Sequence, residues 1–69
     1  MSSIYRIVDR GEAVELRGPG AVMTVTGDDA EKVRAWQREA RRWAPKGKAW
    51  EHIVVNYVEH MAIEEGWLA

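Results

Sequence analysis

The 69-residue chain contains no cysteine and no phenylalanine, only one asparagine, two prolines and two serines. Without cysteine, neither a disulfide nor a thiolate metal site can hold it together. A chain this short is one domain at most, and it buries too little surface for comfortable stability unless packing is very good or a second subunit contributes. The serines, Ser2 and Ser3, sit at a terminus that ordinarily frays. Thr24 and Thr26 fall on or beside a strand with no assignable histidine near them. No nucleophile–base pattern is legible, so catalysis is not expected. No uncharged stretch approaches the roughly 18 residues that span a bilayer. Met1 to Gly11, broken by Arg6, Asp9 and Arg10, lacks the apolar centre of a signal peptide. These absences together predict a soluble, cytoplasmic, non-enzymatic domain.

A large net charge is also missing. The total is −1, so no global field draws the chain to nucleic acid or membrane. The charge is nevertheless segregated: Lys and Arg crowd the segment 31–48, and 49–69 holds four glutamates and no Lys or Arg. Tryptophan is plentiful, with Trp36, Trp43, Trp50 and Trp67. Each can bury a large area, and most of them are expected in the core. Trp is also a common interface anchor, so the same residues could serve a partner. The preference for Arg over Lys, with abundant Ala, Gly, Val and Trp, fits a high-GC bacterial or phage genome.

The hydrophobic period predicts an α+β chain, a three-stranded antiparallel meander followed by a helical hairpin (βββαα). Ile4 to Val8 is rich in β-branched and aromatic residues. Asp9-Arg10-Gly11-Glu12 reads as a turn, and Ala13 to Arg17 alternates apolar Val14 and Leu16 with charged Glu15 and Arg17. Gly18-Pro19-Gly20 is a hairpin turn, because proline presets φ and glycine accepts positive φ. It is not a phosphate loop, since a strand follows, Ala21 to Thr26. Thr26 or Asp28 is placed to cap the first helix, with Asp28 and Glu31 at capping-box spacing. Ala30, Val33, Trp36, Gln37, Ala40, Trp43 and Ala44 share one face of it, and Pro45 ends it. Lys46-Gly47-Lys48 links to a second helix over about Ala49 to Glu65. Gly66 is its natural left-handed C′ residue, and Trp67 the apolar residue that folds back. The apolar arc of this second helix spans roughly 200°, twice what a surface helix needs. Burial on two sides, by the meander or by another subunit, is therefore expected. The predicted core is Val33, Trp36, Ala40, Ile53, Val54, Tyr57 and Met61.

Arg34, Arg38, Arg41 and Arg42 fall within roughly 100° of arc opposite the apolar stripe, and Lys46 and Lys48 follow. Guanidinium forks suit carboxylates and phosphates. These six residues are the candidate partner-binding set, beside the plainer reading of a solvated face. His52 and His60 lie two turns apart, too far for one ion, so no metal and no organic cofactor are expected.

From Val22 to Ile63 the order strand, capped helix, Lys/Gly link, helix resembles a ribbon–helix–helix DNA-binding domain. The resemblance implies an intertwined dimer in which Thr24 and Thr26 face the major groove and the helix start near Lys48 and Ala49 meets phosphate. The strand has no basic or amide reader, Ala49 stands where a capping Ser or Thr is common, and an N-terminal hairpin precedes the strand. The leading expectation is instead a small binding protein that acts by protein–protein contact, as inhibitors or adaptors from phages and mobile elements do. A homodimer is possible, nucleic acid is the lesser alternative, and no membrane is involved.

Overall fold

The computed structural model describes residues 5–47 and 50–68. Three strands, β1 (Arg6–Asp9), β2 (Ala13–Gly18) and β3 (Ala21–Thr26), are followed by helices α1 (Gly27–Trp43) and α2 (Trp50–Glu64). The sheet is antiparallel with β2 in the middle. The fold is thus the α+β meander and helical hairpin that the periodicity predicts. The first strand starts later than predicted; Ile4 lies outside the described residues, as do Ser2, Ser3, Lys48 and Ala49.

Register follows from the alternation of β2. Leu16 stands opposite Ile7 and Met23, and Val14 opposite Asp9 and Val25. Residues directly opposite share a face, so these side chains line the side covered by the helices. Arg6, Val8, Glu15, Arg17, Val22, Thr24 and Thr26 line the other side, which no helix covers. The Pro19-Gly20 turn closes the second hairpin, with Gly20 at φ +79 where an L side chain would be strained. Gly18 is required for another reason. A Cβ there would stand 2.6 Å from the Tyr5 ring, so only hydrogen fits beneath it.

Helix α1 is capped by the extended Thr26, whose side chain makes no capping hydrogen bond. The Asp28–Glu31 box does not form either: α1 already begins at Gly27, so Asp28 lies inside the first turn, and Glu31 pairs with Arg34. Asp28 and Asp29 still place negative charge in the first turn, where the helix dipole favours it. The other end stops at Ala44, held extended (ψ 137) by the proline that follows. Helix α2 ends as predicted. Gly66 has φ +85, its N–H donates to the Ile63 carbonyl, and the Trp67 N–H donates to Ala62 at 2.9 Å. Both bonds of a Schellman motif are present. The Trp67 ring folds back onto the core and packs on Trp36 at 5.4 Å between centroids.

The core is centred on β2 rather than on the tryptophans. Val14, Leu16, Val25, Ala30, Val33, Val55 and Val58 form one buried cluster. Of the predicted core, Val33, Ala40 and Val54 are buried, whereas Trp36, Ile53, Tyr57 and Met61 are only partly covered. The expectation that most tryptophans are core is corrected too: none is fully buried, and Trp43 is 52% exposed. The cause is the helix–helix contact. Ala40, Ala44, Val54 and Ala62 are buried small side chains, which permit close approach and leave no room for an indole. Bulky rings are displaced to the flanks, where Trp43 meets Tyr57 edge-to-face at 5.4 Å. No helix among the described residues is long and apolar enough to cross a membrane.

Candidate functional site

The predicted arginine face divides into two kinds of residue. Arg34 is committed to the fold. Its guanidinium donates to both Asp9 carboxylate oxygens at 2.9 Å, to the Gly11 carbonyl and to Glu31. It thereby ties the β1–β2 turn to α1. The Arg34 fork beside Asp9, helped by the Gly11 N–H, lowers the Asp9 pKa to about 2. Asp9 and Glu31 in turn raise that of Arg34 further above its ordinary range. Arg42 is paired as well, with Glu39 at 2.8 Å.

Arg38, Arg41 and Lys46 make no ion pair with any described residue. Arg41 and Lys46 instead converge on the Trp50 ring, at 5.8 and 4.1 Å from its centroid. The Trp50 Nε1–H is buried and has no acceptor among the described residues. A buried donor without a partner is uncommon and costs on the order of 1–3 kcal/mol. Two cations therefore gather over Trp50 near the end of α1, and neither is ion-paired with a described carboxylate. Lys48, the sixth predicted residue, lies outside the described residues. The two features that sequence reading missed are the use of Trp50 as a cation seat and the exposure of Trp43 nearby in the chain. The only signal for either was an aromatic residue flanking a basic run.

A cleft of about 250 Å³ opens between β1, α1 and α2. Ile7, Val54 and Val55 give it apolar walls, and Arg6, Gln37 and Arg41 stand among its polar lining. Arg6, like Arg41, has no ion-pair partner among the described residues. On the uncovered sheet face the other arginines are compensated: Glu15 accepts from Arg10 at 3.0 Å and from Arg17 at 2.9 Å, which lowers its pKa.

His52 and His60 are both exposed on α2, and His60 lies 3.6 Å from Glu64. Among the described residues no three His, Cys, Asp or Glu side chains are grouped to hold a metal ion. No family model, curated protein or solved structure matches the chain, so the geometry alone carries the functional argument.

Proposed function

We propose that this chain is a non-enzymatic binding protein that docks onto an acidic protein surface through the end of α1. The reading extends to an inhibitor or adaptor role of the kind small phage and mobile-element proteins play toward host complexes. One observation carries it: Arg41 and Lys46 sit over the Trp50 ring, and neither makes an ion pair with a described residue. A partner's Asp or Glu would neutralise the cations. Exposed Trp43, braced by Tyr57, supplies the aromatic anchor that interfaces favour. The test is capture from bacterial lysate by the wild type and by an R38Q/R41Q/R42Q/K46Q variant, with Arg34 left in place. The wild type should retain a protein partner that the variant releases. Equal retention by both sinks this surface as the site.

A second reading, a dimeric DNA-binding regulator, draws on a different observation. Thr24 and Thr26 are exposed on edge strand β3, on the same uncovered face as Arg6 and Arg17. If duplex DNA is the ligand, affinity should fall steeply with salt, and T24A/T26A should relax sequence preference. Binding that vanishes at physiological salt removes this reading.

A further inference from the structure

We infer that the cleft beside β1 receives an extended, acidic segment of the protein partner, which adds to the sheet as a fourth strand. The inference rests on the protein-binding reading and specifies the mode of recognition.

Three observations lead there. The first is the free edge. Among the described residues β1 pairs only with β2. The Arg10 N–H donates to the Ala13 carbonyl at 2.8 Å, which sets the phase of the ladder. In an antiparallel strand the N–H and C=O of one residue point to the same edge, and successive residues alternate. Val8 and Arg6 therefore face β2 with Arg10, and the main-chain groups of Ile7 face outward. An added strand can exchange two hydrogen bonds with Ile7, as in other cases of strand addition.

The second is the space under that edge. A strand laid beside β1 points alternate side chains toward the helices. There the cleft opens, walled by Ile7, Val54 and Val55, with room for a side chain of moderate size.

The third is charge. Arg41 lines the cleft from α1, and Arg6 stands on β1 with its side chain on the uncovered face, so an added strand meets one cation on each of its faces. Both lack an ion-pair partner among the described residues. One acid, Glu51, lines the cleft against them, and His52 stands beside it. The excess is positive, so the incoming segment is acidic. The opposite edge, β3 (AVMTVT), has no charged residue and cannot make this choice.

The test uses the full chain and two capped hexapeptides with charge on both strand faces, a Glu/Val peptide (Val-Glu-Glu-Val-Glu-Glu) and a Lys/Val peptide (Val-Lys-Lys-Val-Lys-Lys). Amide chemical shifts and hydrogen exchange are followed by NMR up to about 1 mM peptide, which detects weak complexes. The Glu/Val peptide should shift and protect Ile7 while leaving Val22, Thr24 and Thr26 unchanged, and the Lys/Val peptide should do neither. Arg41→Glu should weaken the Glu/Val peptide about tenfold and admit the Lys/Val peptide. Ile7→Pro removes the outward N–H without touching the β1–β2 ladder and should abolish binding. Because that proline also trims a packed side chain, Arg41→Glu, on the surface, is decisive if the proline variant unfolds. Equal binding of both peptides, shifts confined to β3, or an unchanged preference in Arg41→Glu overturns the inference. So does protection of Ile7 that rises with protein concentration alone, which would make a second copy the occupant. None of these results depends on lysate capture, so the broader reading stands or falls separately.

Discussion

Asp9 and Arg34 are 25 positions apart in sequence yet are joined by a two-point fork, with a backbone carbonyl sharing the same guanidinium. The carboxyl of Asp9 titrates lower in the fold than in the unfolded chain, at about 2 against 3.8. For a depressed acid the unfolded state binds the proton first, so the stabilisation is complete above about pH 4 and fades as pH falls toward 2. Asp9→Asn should therefore lower the melting temperature at pH 7 and flatten its decline between pH 4 and 2. A variant whose acid profile matches the wild type would show that the fork adds nothing. Arg34→Gln should destabilise at neutral pH, whereas Arg38→Gln should leave the melting temperature unchanged and act on partner capture. If the two behave alike in thermal unfolding, the division of the arginine face into structural and partner-facing members is wrong.

At the scale of elements, the second hairpin and the end of α2 depend on single glycines for different reasons. Gly18→Ala sets a methyl against the Tyr5 ring and should cost about 1–3 kcal/mol as an overpacking defect. Gly66→Ala forces an L residue to φ +85 and should cost about 1–2 kcal/mol. Urea titrations measure both, and a neutral Gly66→Ala would mean that the C-terminal turn of α2 is not needed for folding. Both turns were legible in sequence, because proline and glycine act through local sterics that no tertiary contact has to supply. The expected capping box was legible too but did not form. The helix begins at Gly27, one residue before Asp28, so Asp28 does not occupy the cap, and Glu31 pairs with Arg34 one turn on.

For the whole molecule, the helices cover one face of a three-stranded sheet, and the core is a layer of valines around Leu16. A chain of this size holds roughly 3–10 kcal/mol of net stability. Leu16→Ala, costing about 2–5 kcal/mol, should leave it largely unfolded at 37 °C by circular dichroism. The apolar arc of α2 is covered by α1 and the sheet on one side only. Ile53, Tyr57 and Met61 remain part-exposed, and exposed Trp43 packs against Tyr57. We expect this stripe to drive weak self-association, visible by light scattering as a mass that rises with concentration and falls back in Trp43→Gln. A constant monomer mass across the micromolar range would show that the stripe is held for another partner.

Element order, the turns, the α2 cap and the inward face of β2 were decided by the sequence alone. Each depends on periodicity or on the conformational limits of proline and glycine, which act within a few residues. The fate of the tryptophans was not decidable that way. Period places an indole on the side of a helix that faces the core, but it does not say how closely the neighbouring helix approaches. Ala40, Ala44 and Ala62 set that distance, and they expel Trp43 while Trp67 is drawn back over Trp36. The candidate site was legible as a composition, a run of basic residues. Which of them were already neutralised depended on carboxylates brought in from β1 and α1. Charge compensation is a property of distances in space: the Arg42–Glu39 pair is local to α1, but only the tertiary structure brought Asp9 to Arg34 and left Arg38, Arg41 and Lys46 apart from it.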